Sequence, residues 1–90
     1  MPNRHAIVGS KVGLHARPAA LFVQAVTRQP CAVTIAKVGS DPVNAKSILS
    51  VLSLDARGGD EVVLDAEGDG AEAALDELAA LVARDLDSEE

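Results

Sequence analysis

Apolar residues change their spacing several times along this chain, and each change marks an element. Residues 3–9 (Asn-Arg-His-Ala-Ile-Val-Gly) read as a short first strand. From Ala16 to Thr27 the spacing turns helical, with Ala19, Phe22, Val23 and Val26 at i, i+3, i+4 and i+7 on a core face. Phe22 is the only aromatic residue in the sequence and serves as a core anchor. Arg17, Ala20, Gln24 and Thr27 fall on the opposite face, whose beginning is small and uncluttered. Gln29-Pro30 end this unit. Residues 31–38 then alternate as a strand, with Val33 and Ile35 on one face and Thr34 and Ala36 on the other. A turn at 39–42 leads to a two-residue return strand, Val43-Asn44. Pro42 confines that strand to a sheet edge, because proline cannot donate to a ladder.

A short helix is predicted from Ser47 to Leu54, with Ser47 placed to cap it. Ile48, Leu49, Val51, Leu52 and Leu54 give it more apolar surface than so short a helix buries, which points to a docking patch. Arg57-Gly58-Gly59-Asp60 is a loop and residues 61–67 a fourth strand. Gly68-Asp69-Gly70 turns into a last helix, where Asp69 and Glu72 have capping-box spacing. Ala71, Leu75, Leu78, Val82 and Leu86, with Ala79 beside them, form its apolar stripe, and residues 87–90 an acidic, frayed tail. The order β-α-β-β-α-β-α defines an α+β domain with helices on one face of a four-stranded sheet.

Ninety residues make one domain able to bury a single core. The one cysteine, Cys31, excludes an intramolecular disulfide and reads as a small buried hydrophobe in or beside a strand. The first nine residues lack the apolar core of a signal peptide, and no stretch is long enough to span a bilayer, so a soluble, cytoplasmic protein is expected. The net charge of −6 hides an asymmetry. Residues 1–54 carry six basic groups against one acid, whereas residues 55–90 carry two against thirteen. The first half suits a phosphate and an acidic partner surface. Nucleic acid is a poor partner for an acidic chain with no Trp or Tyr to stack on bases. No carboxylate cluster or Cys/His set suggests a metal, and His5 reads as an ordinary strand histidine.

The densest chemistry lies at Gly13-Leu14-His15-Ala16-Arg17-Pro18. Pro18 fits the first helical turn, where amides have no intrahelical partner to lose. Gly13 lets the chain turn sharply into the helix. The first-turn N–H groups sit at a positive dipole end that favours an anion, with His15 beside it. Imidazole is a nucleophile that works near neutral pH and gives a phosphoryl group up again. The transition state of such a transfer is loose, so positioning and charge stabilisation are what the protein supplies. His15 is therefore the candidate nucleophile, the amides of Ala16 and Arg17 the cradle, and the Arg17 guanidinium a partner for phosphoryl oxygens. The plainer alternative is a histidine that only caps a helix.

The residues GLHARPAA at 13–20 resemble the active-site signature of HPr, the histidine-containing phosphocarrier of the bacterial phosphoenolpyruvate:sugar phosphotransferase system, and Val43-Asn44-Ala45-Lys46-Ser47-Ile48 resembles the family's regulatory-serine region. Length and element order agree along nearly the whole chain. The resemblance implies an antiparallel sheet and an open-faced β-sandwich with three helices on one face. It implies phosphorylation of His15 on Nδ1 by phospho-enzyme I, charged from phosphoenolpyruvate, and onward transfer to sugar-specific enzyme IIA units. Such a protein is a covalent intermediate rather than an enzyme, needs no cofactor, and is expected to be a monomer. The resemblance also makes Ser47 the target of a serine kinase/phosphorylase, and Ala16, Ala20, Gln24, Ile48, Leu49 and Leu52 the partner-binding surface. The segment from His15 to Ser47 is slightly longer than is usual in the family, and Gln24, Thr27 and Ser50 stand where relatives often carry lysines.

Other classes explain less. An acyl carrier is an all-helical bundle with an Asp-Ser-Leu attachment site, which this strand-containing chain lacks. A metabolite-binding regulatory α+β domain leaves His15-Ala16-Arg17-Pro18 without a purpose. Within the family, a carrier of a nitrogen-related regulatory branch is the runner-up.

Overall fold

A computed structural model describes residues 2–9 and 13–84 of the chain. The elements follow the predicted order: β1 (Asn3–Ile7), α1 (Ala16–Thr27), β2 (Ala32–Lys37), β3 (Val43–Asn44), α2 (Ile48–Ser53), β4 (Glu61–Glu67) and α3 (Ala71–Ala83). The sheet has the strand order β1-β4-β2-β3, and every neighbouring pair is antiparallel. The last strand in sequence thus lies in the interior, between β1 and β2. Three helices cover one face and leave the other open, the open-faced α+β sandwich. β3 sits on the edge, as Pro42 requires.

Strand alternation explains which face is covered. Val62, Leu64 and Ala66 of β4 are buried, and the register sets Leu64 against Ile35 and Ala66 against Val33. Onto this floor pack Ala19, Phe22, Ala25 and Val26 of α1, Val51 of α2, and Leu75, Leu78 and Val82 of α3. Val23, predicted on the core face of α1, is only partly buried, while Arg17, Ala20, Gln24 and Thr27 are exposed as the periodicity requires. Arg4 and Lys37 share the covered face but stand at its margins, opposite Leu64 and Val62. There Arg4 pairs with Asp76 and lies 3.8 Å from Glu72, tying β1 to α3.

Several local expectations need correction. The first two strands are shorter than their apolar runs, because Val8 and Cys31 are buried outside the ladder. The capping box at α3 does not form. Gly70, with φ +78°, is the N-cap and has no side chain to offer, and Glu72 reaches toward Arg4 instead of back to Asp69. Residues 10–12 of the loop before His15, Leu86 of the α3 stripe and the acidic tail lie outside the described residues. His5 is an exposed strand residue, its Nδ1 2.6 Å from Glu61 Oε2 on β4. Cys31 is a buried free thiol, the small core hydrophobe its sequence predicts.

Candidate functional site

The approach to α1 is fixed by the loop between α2 and β4. Leu14 N–H donates to the Ala56 carbonyl at 2.8 Å, and the Leu14 side chain is buried. Gly13 takes φ +78°, and a Cβ there would stand 2.1 Å from the same carbonyl oxygen, so no other residue fits without moving backbone. Upstream, Val8 donates to Asp60 and accepts from Gly59. These bonds clamp two loops that are far apart in sequence and deliver His15 to a defined position.

His15 is the N-cap of α1, with extended backbone (φ −132°, ψ 164°), and its side chain makes no cap bond to the helix. The plain capping alternative therefore lacks the bond that defines it. Its carbonyl accepts from Ala19 N–H at 3.4 Å. Ala16 and Arg17 occupy the first two helical positions, upstream of any i−4 carbonyl within the helix. Pro18 follows, buried, and brings no N–H. The helix start therefore sets an imidazole that is 38% exposed directly before the first two helical residues. The Arg17 side chain is exposed on the same turn.

One member of the site escaped the sequence reading. Asp55 places Oδ1 3.4 Å from His15 Nε2. Its other oxygen accepts from Arg57 Nη2 at 3.1 Å. The Arg57 hydrogen bond, and then the Arg57 charge, hold the Asp55 carboxyl below its ordinary value, with His15 and Lys37 adding smaller pulls in the same direction. Lys37 Nζ lies 3.5 Å from the Asp55 carbonyl and 3.7 Å from Asp60 Oδ2, and Asp60 accepts from Arg57 N–H at 2.9 Å. The basic-then-acidic division of the chain consequently fails in space at this point. The α2–β4 loop carries Asp55 from the acidic half up to His15, with Arg57 bonded to Asp55 and to Asp60 behind it. Asp55 follows the C-cap of a short helix with φ +52°, a position usually given to glycine, and nothing in its sequence neighbourhood ties it to His15.

The second predicted site lies on α2. Ser47 is its N-cap, and Ser47 Oγ accepts from Ser50 N–H at 3.3 Å, as the capping reading requires. Leu49 is 77% exposed, Ile48 is exposed and Leu52 half-buried, so the apolar excess does reach the surface. Ala20 and Gln24 are exposed on α1, which packs against α2. Among the described residues, no three His, Cys, Asp or Glu side chains gather as metal ligands. No helix of the described residues is long and apolar enough to cross a membrane.

An open-faced α+β sandwich with a histidine at the start of its first helix defines the class of small phosphocarriers. The family described as the PTS HPr component phosphorylation site matches residues 2–84. The phosphocarrier protein HPr of Streptomyces coelicolor is 54% identical over 87 residues, covering 97% of this chain and 94% of that protein. A solved HPr of Bacillus anthracis superposes with a TM-score of 0.86 at 43% identity, over 90% of this chain and 95% of that one. Crh of Bacillus subtilis, solved as a dimer with a swapping domain, gives a TM-score of 0.71 at 46% identity over 91% and 93% of the two chains. The chain belongs to the HPr family of phosphocarrier proteins of the phosphotransferase system.

Proposed function

We propose that His15 accepts a phosphoryl group from phospho-enzyme I, which is charged from phosphoenolpyruvate, and passes it to enzyme IIA units during sugar uptake. The observation that carries this reading is the uncapped, half-exposed imidazole set at the mouth of a helix beside the amides of Ala16 and Arg17. Those amides cradle phosphoryl oxygens, and the Arg17 guanidinium adds charge-assisted hydrogen bonds as negative charge builds there. The chain works as a single phosphocarrier domain in the cytoplasm, as a monomer, and as a covalent intermediate between enzymes rather than an enzyme itself. Partners dock across Ala16, Ala20 and Gln24 of the first helix and Ile48, Leu49 and Leu52 of the second. Ser47, at the border of that surface, is the site at which a serine kinase regulates docking.

Incubation with enzyme I and phosphoenolpyruvate, read by intact mass, tests this. The protein should gain one acid-labile phosphate, His15→Ala none, and Arg17→Ala should gain it more slowly while folding normally. Label that survives in His15→Ala, or that maps to His5, overturns the reading.

A further inference from the structure

We infer that Asp55 is a positioning residue for phosphoryl transfer: its carboxylate holds the Nε2–H tautomer of His15, leaves Nδ1 free to attack phosphorus, and meets the positive charge the ring then acquires. This deepens the reading of His15 as a phosphoryl acceptor and rests on it. Three observations converge on Asp55. Its Oδ1 is 3.4 Å from Nε2, near enough for a small ring rotation to close a hydrogen bond. Arg57 grips the other carboxylate oxygen, which fixes the acceptor in place and keeps it ionised. The backbone of Asp55 is left-handed at φ +52°, where glycine is the unstrained choice, so its side chain is present despite the conformation rather than because of it.

The step balances without a proton transfer. The Nδ1 lone pair attacks phosphorus, the N–P bond to the donor's phosphohistidine breaks, and its electron pair returns to the donor nitrogen. Nε2 keeps its proton throughout, so the phosphorylated ring is a cation and Asp55 is its counter-ion. The same cation is a good leaving group when the acceptor histidine attacks. Lys37 and Asp60, two further charged groups near Asp55, are engaged with the α2–β4 loop and steady it.

Nitrogen-15 NMR of the His15 ring in the unphosphorylated protein reads the tautomer directly, independently of enzyme I. At a pH where the ring is neutral, Asp55→Gly should lower the ratio of Nε2–H to Nδ1–H tautomer by roughly 3- to 10-fold, the span of one charge-assisted hydrogen bond at a half-exposed site. Asp55→Asn, which can accept but carries no charge, should fall between it and the parent. Transfer to an enzyme IIA should slow in the same order. Asp55→Gly suits the left-handed backbone and should melt no lower than the parent, so misfolding does not cloud the result. An unchanged tautomer ratio in Asp55→Gly, with normal phosphate uptake, overturns the role of Asp55 and leaves His15 as the carrier. A shifted ratio with no phosphate on His15 overturns the carrier reading, and the role of Asp55 in transfer with it.

Discussion

At the scale of single residues, the site is built from pairs that sequence separates widely. His15, Arg17 and Pro18 were legible because they lie within one helical turn, where spacing alone states their relation. Asp55 was not legible, because its relation to His15 exists only once Leu14 bonds to Ala56 and Gly13 closes on the same carbonyl. The ionisation of Asp55 gives a residue-level prediction with a definite sign. Its folded value lies below the ordinary 3.8, chiefly through the Arg57 hydrogen bond and charge. The stabilisation from this pair is thus fully present above that ordinary value, and is lost as the pH falls through the lowered one. An NMR titration of the Asp55 carboxyl should show its midpoint rise in Arg57→Ala. Chemical denaturation of parent and Arg57→Ala should converge in strong acid. A midpoint unmoved by Arg57→Ala would refute the pairing.

At the scale of elements, local chemistry set most boundaries and tertiary contacts set the rest. Pro42 forecast an edge strand and Ser47 a helix start, each from a property of the residue itself, and both are where they were expected. The start of α3 went otherwise because a left-handed glycine and an ion pair to β1 compete with the capping box, and neither shows in spacing. For α2 the cap and the docking surface can be separated. Ser47→Ala removes an acceptor from Ser50 N–H and should lower stability by about 1 kcal/mol while leaving enzyme I affinity unchanged. Ser47→Asp retains a capping oxygen but sets a negative charge beside exposed Ile48 and Leu49. It should fold as well as the parent yet bind enzyme I more weakly, and added salt should narrow the gap. Calorimetric titration of enzyme I with the three proteins measures this. Equal affinity of parent and Ser47→Asp at low salt would reduce Ser47 to a helix cap.

At the scale of the whole molecule, stability and exposure are distributed unevenly, and the division runs along the sheet. β4 is paired on both sides and buries Val62, Leu64 and Ala66 beneath α1 and α3, so its amides should open only with global unfolding. β3 is a two-residue edge strand, and the six-residue α2 beside it buries Val51 fully while Leu49 faces solvent. This corner has little apolar burial to oppose opening and should exchange first. The Leu14 amide reports whether the corner matters to the site, because its acceptor is the Ala56 carbonyl just beyond α2. If opening of α2 carries the loop with it, weakening the cap by Ser47→Ala should speed exchange at Leu14 by roughly fivefold, the equivalent of about 1 kcal/mol. Exchange within β4 should change only as far as global stability falls. Native-state hydrogen exchange resolved by residue decides between a coupled and an independent corner. Faster exchange in α2 with an unchanged Leu14 would show that the loop holding His15 is anchored by β4 and Val8 alone. The coupled result would make the docking helix and the histidine approach one cooperative unit, so that a partner binding Ile48 and Leu49 also steadies the nucleophile.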